Sequence, residues 1–117
     1  MNTKTSKILM LDFNNQPEID QMEVVKQKNW VIKYIENPSE AVKLSAVRKD
    51  GSAIQYINNP SEEVQLEAVK QNGYAVRFIK DPSENVQLEA VKQNGCAIQY
   101  TNLIAVQVNS RMYYGKS

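Results

Sequence analysis

The sequence predicts an all-α fold: a short right-handed α-solenoid of 22-residue helix-turn-helix repeats, with non-repeat, β-like caps at both ends. Three observations lead there. Prolines at Pro17, Pro38, Pro60 and Pro82 stand 21, 22 and 22 residues apart, and the text between them repeats. Each copy carries its own helix start and stop. In the copy from Pro60, Val64, Leu66, Ala68 and Val69 spread over a wide arc of the helix. A lone surface helix shows a narrower apolar stripe, whereas one flanked on both sides by its own copies needs the wide one.

Taken in order, residues 1–16 read as an N-terminal cap. Ile8 to Phe13 suits either a strand or a turn of helix. Its apolar run from Ile8 to Leu11 is broken by Asp12, too short for an export signal or a membrane span. Residues 17–37, "PEIDQMEVVKQKNWVIKYIEN", form a degenerate first unit, one residue short. Faithful units follow at 38–59, "PSEAVKLSAVRKDGSAIQYINN", at 60–81, "PSEEVQLEAVKQNGYAVRFIKD", and at 82–102, "PSENVQLEAVKQNGCAIQYTN".

Within a unit, Asn37, Asn59 or Asp81 reads as the N-cap of a helix A. The proline is then the first helical residue, and Glu40, Glu62 or Glu84 completes a capping box. Gly51, Gly73 and Gly95 read as left-handed stops, with Asn29 in that place in unit 1. A short helix B follows, partly 3₁₀, and the next Asn/Asp-Pro ends it. Residues 103–117 read as a C-terminal cap or tail. There Ile104, Val106 and Val108 alternate with Ala105 and Gln107, a strand-like pattern.

The phrase P-S-E-x-V-x-L-x-A-V-x-x-x-G-x-A-[IV]-x-[YF] resembles a tandem repeat family catalogued as a domain of unknown function, common in bacterial and viral proteins. The resemblance covers Pro38 to Tyr100 well and Pro17 to Asn37 loosely. It implies short tandem helical repeats, and brings no catalytic residue and no ligand.

Composition narrows the function classes. Lys and Arg number 14 against 13 Asp and Glu, which argues against a strong polyanion binder and against an acidic nucleic-acid mimic. Histidine is absent and Cys96 is the single cysteine, so one chain builds neither a disulfide framework nor a thiolate metal site. A non-enzyme without metal or cofactor is expected, since general acid–base apparatus is missing. A reducing, cytoplasmic location fits the cysteine usage, with no membrane association.

Residues that vary between faithful copies are those a repeat uses for specificity. After the glycine position stand Trp30, Ser52, Tyr74 and Cys96, and three residues on Lys33, Gln55, Arg77 and Gln99. Stacking brings these into one row, with Trp30/Lys33 and Tyr74/Arg77 as aromatic–cation pairs. Trp30, Lys33, Gln55, Tyr74, Arg77 and Gln99 are therefore the expected partner-binding residues. The competing reading of the two aromatics is that they fill space beside helix A. Tyr34, Tyr56, Phe78 and Tyr100, an aromatic in every copy, read as core. Gln21, Gln65 and Gln87, with Lys43 as the exception, read as a ladder between units. Ile104, Val106, Val108, Tyr113 and Tyr114 are candidates for a cap or a homodimer contact.

The expected function is a non-catalytic protein–protein interaction module that binds a partner through one face of the solenoid. A narrower alternative is a small viral or mobile-element effector inhibiting a host nuclease or defence complex. Another is a nucleic-acid-binding helical repeat, using the row Lys26, Arg48, Lys70 and Lys92. Glu23, Glu67 and Glu89 largely neutralise that row, with Ser45 breaking the pattern, so nucleic acid is the less favoured partner.

Overall fold

The structure, a computed structural model, describes residues 13–103. It contains α1 (Glu18–Gln27), α2 (Glu40–Lys49), α3 (Glu62–Gln71) and α4 (Glu84–Gln93), each of ten residues. Each is followed by a six-residue 3₁₀-helix: η1 (Asn29–Tyr34), η2 (Gly51–Tyr56), η3 (Gly73–Phe78) and η4 (Gly95–Tyr100). A 3₁₀ turn, Phe13–Asn15, precedes them. One α–η pair makes one unit, and the four units pack in sequence, each α-helix lying against the next. The described residues are all-helical, without a strand. The radius of gyration is 17.3 Å, where a compact chain of this length would have about 13 Å. Of the stretch Ile8 to Phe13, expected as a strand or a turn of helix, Phe13 begins the 3₁₀ turn and the rest lies outside the described residues, as does the strand-like Ile104 to Val108.

The helix start differs from expectation. Ser39, Ser61 and Ser83 are the N-caps, extended at φ −71° to −67°. Each Oγ accepts from the N–H of Val42, Val64 or Val86 at 3.2 Å. Glu40, Glu62 and Glu84 are thus the first helical residues, too close to the cap to fold back on it as a capping-box glutamate does. Two of them turn to the next unit instead: the Ser61 hydroxyl donates to Glu40, and the Ser83 hydroxyl to Glu62. Ser39 donates to Glu18 in the same way. One serine therefore caps its own helix and ties it to the unit before. Asn59 and Asp81, expected as caps, are left-handed at φ 49° and 51° and turn the chain out of the 3₁₀-helix. Asn and Asp tolerate that conformation best among residues with a Cβ.

The glycines also work differently. No described glycine has a positive φ, so Gly51, Gly73 and Gly95 are not left-handed stops. α2, α3 and α4 end because Asp50, Asn72 or Asn94 is extended, and its Oδ1 then caps the following 3₁₀-helix. It accepts from the N–H of Ser52, Tyr74 or Cys96 at 3.0, 3.0 and 3.1 Å. Gly51 and Gly73 serve close approach. A Cβ on Gly51 would lie 2.3 Å from the Ala68 carbonyl oxygen, and one on Gly73 2.5 Å from that of Ala90. Both oxygens belong to the α-helix of the next unit. In unit 1 that place holds Asn29, and η1 packs correspondingly less closely on α2 than η2 does on α3. The Asn29 side chain spans the gap, its Nδ2 donating to Asp50 Oδ2 at 2.8 Å.

With three residues per turn, a 3₁₀-helix sorts its side chains into three rows. In η2 and its flank, Ile54 and Ile57 are 2% and 7% exposed and face the α-helices, while Gln55 points to solvent. Val42, Ala46 and Val47 of α2 and their equivalents in α3 have no exposure. Fully burying such a valine contributes about 1.5–3 kcal/mol, and small residues let the helices approach. Gln65 and Gln87 donate through Nε2 to the carbonyls of Pro60 and Pro82 at 3.0 and 2.9 Å, inside their own units. Gln87 also accepts from the Asn102 N–H at 2.9 Å, at the end of the same unit. On the outer face of unit 4, Leu88 is 43% exposed, although its equivalent Leu66 packs against the core.

Candidate functional site

The six expected contact residues lie on the 3₁₀-helices, in the row that faces away from the α-helices. Trp30, Lys33, Gln55, Arg77 and Gln99 are exposed and Tyr74 is half-buried. Their partners differ from the expected pairs. Lys33 Nζ stands over its neighbour Tyr34, 5.2 Å from the ring centroid, and over Tyr56 of the next unit at 5.7 Å. Arg77 stands over Phe78 at 4.7 Å and over Tyr100 of the next unit at 6.0 Å. Trp30 and Tyr74 meet rings rather than these cations: Trp30 lies edge-on to Tyr34 at 6.2 Å, and Tyr74 to Tyr100 at 6.1 Å.

Of the row expected as core, Tyr56 and Phe78 pack against the core from its edge, whereas Tyr34 and Tyr100 are not core. Tyr34 is 57% and Tyr100 39% exposed, and Tyr56 and Phe78 are half-buried. In the 3₁₀ period Tyr56 falls in line with the small, buried Ala53, and its longer side chain runs along the flank of η2 instead of inward like Ile54 and Ile57. The result is two aromatic–cation clusters, one across units 1 and 2 and one across units 3 and 4. Each is built of a cation sandwiched between rings of consecutive units. Exposed cation–π contacts contribute about 0.5–1 kcal/mol each, so the clusters hold neighbouring units in register while leaving ring faces open. Residues 61–104 match the family model of DUF4116, a domain of unknown function. No curated protein and no solved structure matches the chain. The expected likeness to a family of unknown function thus holds over this span, and the second cluster, Tyr74, Arg77, Phe78 and Tyr100, lies inside the DUF4116 match.

Gln55 and Gln99 take the cation's place in alternate units and fold back. Their Nε2 groups donate to the Ser52 and Cys96 carbonyls at 3.0 and 3.1 Å. The thiol of Cys96 is free and exposed. Its hydrogen bond to the Tyr74 hydroxyl, with some burial, raises the Tyr74 pKa above the ordinary tyrosine value. In the basic row, Lys26 pairs with Glu23 at 3.5 Å inside α1, and Arg48 with Glu67 across units at 3.4 Å. Among the described residues no cluster of acidic or sulfur side chains is placed to hold a metal, and no helix is long and apolar enough to cross a membrane. Ile104, Val106, Val108, Tyr113 and Tyr114 lie outside the described residues.

Proposed function

We propose that the protein is a non-catalytic interaction module that captures a protein partner on the 3₁₀-helix face, through Trp30, Lys33, Tyr34, Tyr56, Tyr74, Arg77, Gln55, Gln99 and Tyr100. The observation that carries this reading is the exposure of Trp30 and Tyr34 beside Lys33, and of Tyr100 beside Arg77. Large aromatic and arginine side chains dominate binding hot spots. Each is held by its neighbours before a partner arrives, so little side-chain freedom remains to be lost on binding. A cytoplasmic setting goes with the free thiol at Cys96. A homodimer through the Ile104 to Tyr114 stretch belongs to the same proposal. The narrower role, a viral or mobile-element effector that blocks a host nuclease or defence complex, uses the same face.

The test compares two baits in affinity capture with mass spectrometry: the natural chain, and Trp30→Ala/Tyr34→Ala/Arg77→Glu/Tyr100→Ala. A protein retained by the first and lost by the second, at matched circular dichroism, is the expected result. Equal capture by both baits overturns the assignment of this face.

Interleaved rings and cations also suit stacked bases of single-stranded nucleic acid. That second reading requires salt-sensitive retention of an oligonucleotide.

A further inference from the structure

The copies differ from one another at a few places, and three of these differences meet in space. Lys28 stands where the other units have Asp50, Asn72 and Asn94. Asn29 stands where they have glycine, and Lys49 where Gln27, Gln71 and Gln93 stand. Asn29 holds η1 off α2. At that junction a groove of about 690 Å³ opens, lined among others by Lys26, Lys28, Asn29, Trp30, Lys49 and Asp50.

The groove is cationic. Among the described residues, Lys28 and Lys49 pair with no carboxylate, while Lys26 is held by Glu23 at 3.5 Å. Asp50, the acidic residue in the lining, already accepts with both oxygens, from the Ser52 N–H and from Asn29 Nδ2. Trp30, 45% exposed, is the apolar wall. A lysine in the last turn of a helix offsets the charge of its carbonyl end. Each α-helix already has such a cation at Lys26, Arg48, Lys70 or Lys92, and α3 and α4 finish on Gln71 and Gln93, so Lys49 is not needed for that role; Lys28 lies beyond its helix. Stacking of the units therefore accounts for neither lysine.

We propose that this groove takes an acidic segment of the protein partner, with carboxylates between Lys28 and Lys49 and an apolar side chain against Trp30. Charge-assisted hydrogen bonds of ammonium to carboxylate are the strong ones available to such a site. This inference rests on the interaction-module reading and names the chemistry of its partner. A nucleic-acid backbone is the poorer fit, because it needs a continuing line of unpaired cations, and next to the groove Arg48 is tied to Glu67 at 3.4 Å.

Trp30 is the one tryptophan of the chain, so its fluorescence reports on the groove. The full chain is titrated with a short glutamate-rich peptide carrying one central leucine, and separately with single-stranded and duplex oligonucleotides. A saturable change with the peptide is expected. Binding should weaken at least tenfold in Lys28→Asn/Lys49→Gln, which installs the residues that units 3 and 4 carry and so preserves the fold. It should be unchanged in Lys70→Gln/Lys92→Gln, outside the groove. Absence of a saturable change, equal affinity in the groove variant, or tighter binding of an oligonucleotide overturns the proposal. The broader reading fails separately. If the partner is lost on Arg77→Glu/Tyr100→Ala but kept on Lys28→Asn/Lys49→Gln, the groove alone is wrong.

Discussion

Replacing Gly73 by alanine adds one methyl group and is expected to be costly, while the same change at Gly95 is expected to be harmless. The two glycines share their preceding residues, Val-Lys-Gln-Asn, and their units share nearly the same α-helix sequence. Their backbones match too, with Asn72 and Asn94 at φ −154° and −150°. Only the surroundings differ. A Cβ at Gly73 would sit 2.5 Å from the Ala90 carbonyl oxygen, whereas nothing lies within 4 Å of one at Gly95. Backbone oxygens cannot rotate away, so η3 and α4 must separate by roughly 1 Å, which forfeits about a quarter to a half of the dispersion attraction across the contact. Overpacking of this kind costs about 1–3 kcal/mol. That corresponds to a fall in Tm of roughly 4–12 °C for a domain near this size. Alanine at Gly95 meets no obstacle and restricts the unfolded chain, a gain of about 0.4–1 kcal/mol. Urea denaturation followed by circular dichroism measures both. Equal midpoints for the two variants, or a larger loss at Gly95, would refute the close-approach account and restore a purely conformational role for these glycines.

Ser61→Ala removes a helix cap and a bond to Glu40, and should cost about 1 kcal/mol. Glu40→Gln, which keeps an acceptor for the serine, should cost less, as thermal melts of the pair would show. Arg48→Ala breaks the exposed pair with Glu67 and should change stability by under about 1 kcal/mol, checked in the same melts. The Tyr74 hydroxyl, hydrogen-bonded to the Cys96 thiol, should ionise above the usual tyrosine value of about 10. Its contribution to stability is therefore full below that pH and is lost as pH rises further. A tyrosinate absorbance titration should show one late phase that moves earlier in Cys96→Ala.

What the text of the chain disclosed, and what it withheld, follows from the physics of each signal. The spacing of Pro38, Pro60 and Pro82 gave the unit boundaries, because stacking demands a constant period. Gly51 misled, since a glycine needed for φ and one needed for contact look the same in a sequence. Ser39, Ser61 and Ser83 compete for the cap with Asn37, Asn59 and Asp81 before the prolines, and the left-handed φ of Asn59 and Asp81 separates the two roles. Tyr34 and Tyr100 look like core in the sequence because every copy holds a ring there. The row it occupies depends on three residues per turn rather than 3.6. The bridges from Lys33 to Tyr56 and from Arg77 to Tyr100 depend on the offset between units, which no single unit encodes. The outward placement of the six candidate contact residues was legible because they vary where the scaffold does not. The same rule singles out Lys28, Asn29 and Lys49.

The serine-to-glutamate tie between consecutive units has a consequence for how such a chain can grow. Each link joins a unit only to the one before it, through residues that every faithful copy carries at the same two places. A whole module can be spliced in or cut out at a proline without any surviving joint having to change. Length becomes an adjustable dimension, and the ruled surface along the 3₁₀-helices can be extended in fixed steps to match the reach of whatever it grips.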